Sequence, residues 1–259
     1  REVLARDFLS VHTRNTPTTY YEGRRGPTGF EYELLRRFAD YLVVSLNLDA
    51  SHHLDSVLPA VREQGDLGAA GLPLDPTTPG IHFTRPIIEM QPLLVYRRGL
   101  NGIDEPADLI GLEVGTLSGA GTSANLRALQ SNYPALSWKE TSELEVAELL
   151  VQIENESLDA AVIFDHQFRL NRLFFPNVER GFFIGDPISM AWAVPSGRGL
   201  GFLRAANRFL QDLQESGTLE SLTARYFGHD DYLEYVGTRT FLSHLDARLP
   251  RYEPLFKQA

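Results

Sequence analysis

The stretch Asp108-Leu-Ile-Gly-Leu-Glu-Val-Gly-Thr-Leu-Ser-Gly-Ala-Gly-Thr-Ser123 decides the fold of this chain. Residues 108–115 predict a turn that leads into a short strand, and residues 116–122 form a loop of small residues before a helix. Consecutive backbone N–H groups at such a helix start, with the hydroxyls of Ser118, Thr122 and Ser123, favour binding of an anion such as a carboxylate. An ordinary capped helix start explains the same residues equally well.

An aspartate follows a second predicted strand farther along the chain. Leu158-Asp-Ala-Ala-Val-Ile-Phe164 is typical of a buried strand, and Asp165 follows it directly. A side chain at the carboxyl end of a parallel strand faces the crevice in which open sheets bind ligands. Asp165 is therefore a candidate ligand contact, and capping of the next helix is its alternative role.

The N-terminal part repeats the strand, glycine and helix arrangement. Residues 8–11 predict a strand, and residues 30–42 place apolar side chains on one face of a helix. Residues 67–71 predict a strand without bulky side chains, as expected where backbone approaches a ligand. Together the two units predict an α/β protein with two lobes, each a mostly parallel sheet flanked by helices, and a hinged cleft between them.

The lobes are expected to be discontinuous in sequence. We predict crossings at residues 97–99 and 185–188, which assigns residues 1–97 and 188–235 to lobe 1 and residues 98–187 to lobe 2. Residues 236–259 are predicted to form a helical linker.

Composition excludes several classes of partner. The net charge is −10 and the pI about 5.2, so the electrostatic basis of nucleic-acid binding is missing. No apolar run approaches the roughly 20 residues of a membrane-spanning helix. The chain begins at Arg1, which is compatible with removal of an export signal.

Catalytic and metal-binding patterns are weak. The chain has no cysteine, and the adjacent His52 and His53 point in different directions on any regular element. Glu215-Ser216 superficially matches the surroundings of a catalytic glutamate, but a helix stop follows it at Gly217. The acidic residues Glu143, Glu145 and Glu148 are interpreted as a solvated helix face. We therefore predict no catalytic residue, no metal and no cofactor in this chain.

The order of these pieces resembles the family 3 extracellular solute-binding proteins, the amino-acid-binding partners of ABC importers. The resemblance covers residues 3–228. The matching segments are Thr28-Gly-Phe-Glu-Tyr-Glu-Leu34, residues 55–61 with Gly65-Asp66, Gly71-Leu72, Phe83-Thr-Arg-Pro86, residues 108–115, Asp159-Ala-Ala-Val-Ile-Phe-Asp165, and Gly217-Thr-Leu219 with Tyr226-Phe-Gly228.

The resemblance implies a set of ligand contacts. Asp165 would hold the ligand's amino group, and the loop of Ser118, Gly119, Gly121, Thr122 and Ser123 its carboxylate. From the first lobe, Gly71 and Leu72 are candidate contacts. The family's arginine a few residues beyond them is missing, and Thr78, which lies near its place, is a further candidate. A hydroxyl cannot replace a bidentate guanidinium, so Arg14 or Arg85 is a candidate substitute. Tyr20 and Tyr21 are expected either to pack on the ligand or to belong to a turn packed on the core.

The C-terminal tail makes the resemblance narrower. Tyr235-Val-Gly-Thr-Arg-Thr-Phe-Leu242 and the residues after it look like the segment that joins a solute-binding-like module to a lysozyme-like domain in membrane-bound lytic murein transglycosylases. This implies a periplasmic module without catalytic activity, peripheral to the outer membrane, that senses cell-wall peptides or amino acids and regulates a following catalytic domain. The alternatives are a stand-alone importer component and an enzyme built on the same fold.

Overall fold

A computed structural model describes residues 2–23, 26–142 and 144–228. The predicted linker at 236–259, the tail motif and residues 229–235 of lobe 1 lie outside the described residues. The helices are α1 (Glu2–Arg6), α2 (Phe30–Leu42), α3 (Leu54–Glu63), α4 (Thr122–Gln130), α5 (Val146–Glu154), α6 (Asp165–Asn171), α7 (Leu200–Glu215) and α8 (Thr218–Phe227). The strands are β1 (Phe8–His12), β2 (Tyr21–Gly23), β3 (Gly26–Thr28), β4 (Ser45–Asp49), β5 (Leu67–Gly68), β6 (Ile81–Phe83), β7 (Ile88–Met90), β8 (Pro92–Arg97), β9 (Val114–Leu117), β10 (Lys139–Thr141), β11 (Ala160–Phe164), β12 (Val178–Phe183), β13 (Ile188–Met190) and β14 (Ala193–Pro195).

Two five-stranded sheets confirm the predicted α/β architecture. The first has the order β4-β1-β5-β14-β6, and the second has the order β10-β9-β11-β8-β12. Strands β1, β4 and β5 run parallel, as do β9, β10 and β11, whereas β14 and β8 pair antiparallel to their neighbours. We call the elements packed on the first and second sheets the first and second lobes.

The chain passes between the sheets through a two-stranded antiparallel ribbon. Strand β7 leads from the first sheet to the second and β13 leads back, and the two pair from Ile88 with Met190 to Met90 with Ile188. Strand β8 belongs to the second sheet, so the first crossing precedes Pro92 instead of following Arg97 as predicted. The buried run Pro92–Arg97 predicts a strand, but its apolar character does not specify which sheet the strand joins.

The predicted helix over residues 30–42 forms as expected, whereas the predicted strand over 67–71 is shorter in the structure. Helix α2 has the predicted bounds and ends because Val43 adopts a left-handed conformation. Strand β4 starts two residues later, at Ser45. The predicted strand over 67–71 keeps only Leu67–Gly68 in the sheet. No helix in the described ranges is both long and apolar enough to cross a bilayer.

A buried carboxylate ties together three parts of the first lobe. Asp66 is fully buried and accepts hydrogen bonds from Arg6 Nη2 at 2.7 Å and from the Ser10 N–H at 3.0 Å. Arg198 Nε lies 3.1 Å from its second oxygen. The carboxylate therefore links the start of the chain, β1 and the segment after β14, and both arginines offset the cost of burying it.

Asp66→Ala is expected to lower the free energy of unfolding by about 2–4 kcal/mol, because several charge-assisted hydrogen bonds are lost together. Chemical denaturation followed by circular dichroism measures the change. Asp75→Ala is the control, since the exposed Asp75 bonds mainly to Thr77 in its own turn. Equal losses in the two variants would contradict the linking role of Asp66.

Candidate ligand-binding cleft

A cavity of about 130 Å³ lies between the two lobes. It is many times larger than the roughly 10–15 Å³ required by one water molecule. Its apolar lining includes Leu54, Ala70, Met90, Leu117, Ala120, Val162, Phe164 and Leu170. Its polar lining includes Arg14, Thr16, Thr18, Thr122, Glu145, Glu148, His166, Gln167 and Asn171. Residues of both lobes and of the crossing ribbon therefore enclose one space.

Arg14 supplies a buried positive charge from the first lobe. It follows β1, its backbone bridges to Ser51, and the residue is 6% exposed. Its Nη1 lies 3.4 Å from the carbonyl oxygen of Ala70, and its Nη2 bonds to Glu145 across the cleft. Its Nε is buried without a hydrogen-bond partner among the described residues. The guanidinium thus retains a donor that the protein does not use.

Glu145 supplies the opposite charge from the second lobe. It is the N-cap of α5, and its N–H donates to Glu148 Oε2 at 2.9 Å. Its side chain is 18% exposed, so the interpretation as part of a solvated helix face is wrong for Glu145. A cap precedes the first helical turn, and helical periodicity therefore does not place its side chain. Glu148 is exposed, and Glu143 lies outside the described residues.

The small-residue loop brings the second lobe against the first. Gly119 and Gly121 adopt φ values of 80° and 82°. A Cβ on Gly121 would lie 2.9 Å from Pro73 Cβ, and one on Gly119 would lie 3.2 Å from Asp55 Cα. Larger residues at these two positions would therefore hold the lobes apart.

The predicted anion pocket is only partly exposed to the cavity. Thr122 lines the cavity, and its Oγ1 lies 2.6 Å from Thr116 Oγ1. Ser123 is buried in the first turn of α4, and the Ser118 N–H donates to the Thr141 carbonyl. Of the five predicted loop residues, Thr122 reaches the cavity wall, whereas Ser118, Gly119, Gly121 and Ser123 adjoin it.

The remaining first-lobe candidates are dispersed. Gly71 lines the cavity, whereas Leu72 is a fully buried core residue. The Thr78 N–H donates to the Asp75 carbonyl in a surface turn. Tyr20 donates to Glu22 at 2.6 Å, which raises the pKa of its hydroxyl to about 12, and Tyr21 packs against the first-lobe core. Thus Gly71 alone of these five residues contributes to the cavity lining.

The charged candidates Asp165 and Arg85 also lie apart from the cavity lining. Asp165 begins α6, and its carboxylate accepts from Arg169 at 3.1 Å and from Arg180 at 3.4 Å. Arg85 donates to Gln214 at 2.9 Å beside α7. Among the candidate replacements for the missing family arginine, Arg14 is the one that lines the cavity.

Glu31 supports the cavity from behind Gly71 and was not predicted. It is 5% exposed, and its Oε2 accepts the Gly71 N–H at 2.8 Å. Burial raises the pKa of this carboxyl to about 8, although the Gly71 N–H and Arg14 oppose the shift. Its position in the first turn of an amphipathic helix predicts a solvated residue, so the helical pattern conceals its burial.

His166 is a second unpredicted residue in the cavity wall. Burial and the nearby Arg169 lower the pKa of its imidazole to about 3, so it is neutral near pH 7. Its Nε2 has no hydrogen-bond partner in the described part of the chain. The ring contacts Phe227 edge-on with centroids 5.1 Å apart, and Phe227 in turn contacts Phe30 at 5.1 Å. Helix α6 of the second lobe thereby touches the end of α8 in the first.

A comparison with protein families assigns the chain to one family. The profile of bacterial extracellular solute-binding proteins, family 3, matches residues 9–229. The chain belongs to this family. The match covers both sheets, the crossing ribbon and the cavity.

Two curated relatives match nearly the whole of this family 3 solute-binding protein in sequence. It is 37% identical over 253 residues to membrane-bound lytic murein transglycosylase F of Stutzerimonas stutzeri (strain A1501). This alignment covers 96% of this chain and 52% of the relative. The protein of the same name from Ectopseudomonas mendocina (strain ymp) is 38% identical, covering 100% of this chain and 54% of the relative. The chain spans about half the length of these curated relatives.

Solved structures support the two-lobed fold. A mutant of ArgBP from T. maritima superposes with a TM-score of 0.75 at 18% identity, covering 88% of this family 3 protein and 98% of ArgBP. The amino acid ABC transporter substrate-binding protein AbpA from Streptococcus pneumoniae, bound to L-arginine, gives 0.75 at 20% identity, with coverages of 88% and 97%. At these identities the similarity establishes the fold.

Glu31→Gln is expected to change how stability depends on pH. Between its ordinary pKa of 4.5 and the raised value of about 8, the unfolded state releases the Glu31 proton and the folded state retains it. The free energy of unfolding of the wild type therefore falls as pH rises through that window, by at most about 1.4 kcal/mol per pH unit from this group. Glutamine removes this loss of stability and keeps an oxygen for the Gly71 N–H.

Denaturant unfolding at a series of pH values tests this expectation. The stability of Glu31→Gln relative to the wild type should grow with pH by about 1–4 kcal/mol across the window. Glu63→Gln, which alters an exposed glutamate of α3, controls for the loss of one charge. Parallel curves for Glu31→Gln and the wild type would show that Glu31 ionises normally.

Proposed function

We propose that the cleft binds a small ligand carrying both a carboxylate and an ammonium group, an amino acid or a short peptide such as a cell-wall stem peptide. The observation that carries this proposal is the buried Arg14–Glu145 pair, whose partners come from opposite lobes. Their side chains are 7% and 18% exposed. Removal of two charges from water is costly, and a ligand with matching charges offsets the cost for each partner separately.

The ligand carboxylate is assigned to Arg14 and the ammonium to Glu145. Arg14 Nε is an unused buried donor, and a guanidinium can bind a carboxylate with two parallel hydrogen bonds. Arg14 would replace the family arginine that the sequence lacks beyond Gly71. The apolar part of the cavity lining suits small apolar side chains, which stem peptides contain. In this assignment Glu145 takes the role that resemblance gives to Asp165, whose carboxylate is already paired with Arg169 and Arg180.

Ligand binding is proposed to regulate an attached transglycosylase domain in the periplasm. The relatives at 37–38% identity are named membrane-bound lytic murein transglycosylase F and are about twice as long as this chain. A ligand that contacts both lobes stabilises the closed state by its differential affinity for that state. The contact of His166 with Phe227 gives lobe closure a route to the end of α8.

A second candidate is delivery of a free amino acid to an importer. The support is structural, because AbpA, which has the same fold, is an ABC transporter substrate-binding protein bound to L-arginine. In this case the cleft would prefer one free amino acid to a stem peptide. The two functions require the same charge pair and differ in ligand size.

Calorimetric titration with a stem peptide and a panel of free amino acids tests ligand binding. Arg14→Ala should weaken binding about 10- to 150-fold, because charge-assisted hydrogen bonds contribute about 1.5–3 kcal/mol. Glu145→Ala should weaken it through loss of the ammonium partner. Asp165→Ala and Arg85→Ala are the controls, with affinities expected to stay within about threefold of the wild type.

Each outcome of the titration identifies a different site or ligand class. Weak binding by Asp165→Ala with unchanged binding by Glu145→Ala would transfer the amine site to Asp165. Tight binding of one free amino acid, with no heat from the stem peptide, would favour the importer role. No binding of any of these ligands would remove the proposed ligand class.

Regulation is tested in a longer protein that includes a catalytic domain. Its rate of glycan cleavage is measured with and without saturating stem peptide. The rate is expected to change with peptide in the wild type and to stay at its basal level in Arg14→Ala. Equal wild-type rates under both conditions would refute regulation while leaving ligand binding intact.

A further inference from the structure

Two histidines and an aspartate converge on the first lobe, next to the strand end that leads to Arg14. His12 ends β1, Asp49 ends β4, and His52 lies in the loop before α3. Strands β1 and β4 are parallel neighbours with His12 in register with Asp49. Their carboxyl ends therefore meet, and the loop after β4 returns His52 to the same point.

The three possible ligand atoms face one another at short distances. His12 Nδ1 lies 2.9 Å from His52 Nε2 and 3.6 Å from Asp49 Oδ2. His52 Nε2 lies 3.1 Å from Asp49 Oδ2. Ligands about 2.0–2.1 Å from a tetrahedral Zn²⁺ ion stand about 3.3 Å apart. The triangle therefore has the size of one face of a tetrahedral zinc site.

The outer contacts also match those of a metal site. His12 Nε2 contacts the carbonyl oxygen of Gln64, which fixes the proton on Nε2 and leaves the Nδ1 lone pair directed at the triangle. Asp49 Oδ1 accepts from Ser51 Oγ at 2.5 Å and from the Ser51 N–H at 3.1 Å. Oδ2 is thereby left facing the two imidazoles. Metal-binding histidines and carboxylates are commonly held in this way.

The packing around His12 leaves space for this arrangement. A Cβ on Gly65 would lie 2.8 Å from His12 Nε2, so a larger residue would push the ring away. His12 and His52 have side chains that are 12% and 17% exposed, whereas that of Asp49 is 48% exposed. The imidazoles are positioned by their surroundings, and an ion could enter from the Asp49 side.

We propose that His12, Asp49 and His52 form a binding site for a divalent transition-metal ion, with Zn²⁺ as the best match. Two imidazoles and one carboxylate in a tetrahedral arrangement suit Zn²⁺, and a water molecule completes the coordination. Without an ion, one His52 N–H would have to serve both His12 Nδ1 and Asp49 Oδ2. A cation instead accepts all three lone pairs at once.

The metal would stabilise the segment that supplies Arg14. Ser51, which holds Asp49, forms a backbone bridge with Arg14. The loop continues into α3, whose Asp55 meets the second-lobe loop at Gly119. An ion at this position joins β1, β4 and the start of α3, and so fixes the first-lobe side of the cleft. The site is structural and separate from the ligand cavity.

Metal titration of the 259-residue chain without a histidine tag tests the proposal. The protein is stripped with a chelator, exchanged into metal-free buffer and titrated with Zn²⁺ by calorimetry and with Co²⁺ by visible absorption. The wild type should bind one ion of each and show the absorption of tetrahedral Co²⁺. Zn²⁺ should also raise its melting temperature, because an ion that binds the folded state stabilises it.

Variants locate the ion. His52→Ala and Asp49→Asn should lose the one-to-one binding and the Co²⁺ signature, while Ser51→Ala should weaken Zn²⁺ binding about 10- to 100-fold. His53→Ala is the matched control, because His53 is an exposed neighbour outside the triangle and should bind like the wild type. Circular dichroism of each variant establishes that it is folded.

Two results would overturn the proposal. Absence of saturable Zn²⁺ binding by the folded, stripped wild type would show that the residues form a hydrogen-bonded triad only. Equal binding by the wild type and a folded His52→Ala variant would place the ion elsewhere. Neither result would bear on the ligand cleft, which is tested with Arg14 and Glu145.

Discussion

The ion pair between Arg14 and Glu145 spans the cleft and joins its two walls. Each partner is held by its own lobe, Arg14 by the strand end beside Ser51 and Glu145 by the N-terminus of α5. Because burial of such a pair costs several kcal/mol in desolvation, it contributes to stability only when both charges remain satisfied. In the proposed function, this requirement makes the cleft selective for a ligand that satisfies both charges.

The rest of the fold brings these two charges together. The β7–β13 ribbon is the double crossing between the sheets, and Gly119 and Gly121 let the second lobe approach α3 and Pro73. Both lobes therefore enclose a cavity lined by the charged pair and by apolar side chains. His12 of the triad ends the strand that leads to Arg14, so an ion bound by the triad would stabilise one wall of the cleft without entering the cavity.

Periodicity and strand-end rules predicted the architecture well, because helices such as Phe30–Leu42 and strands such as Ala160–Phe164 are fixed by local apolar patterns. They predicted the site less completely. Glu145 is a cap, and His12 meets Asp49 and His52 only through parallel pairing of β1 with β4, so neither relation has a local sequence pattern. Arg14 was named as a candidate, but its burial depends on contacts with Ala70 and Glu145 that the sequence does not reveal.

A crystal structure of this chain grown with a saturating stem peptide tests directly whether Arg14 and Glu145 recognise the ligand. The ligand is expected to separate the ion pair, with its carboxylate bound by Arg14 and its ammonium by Glu145. A bound peptide that leaves the Arg14–Glu145 pair intact, or that places its amine on Asp165, would refute this recognition.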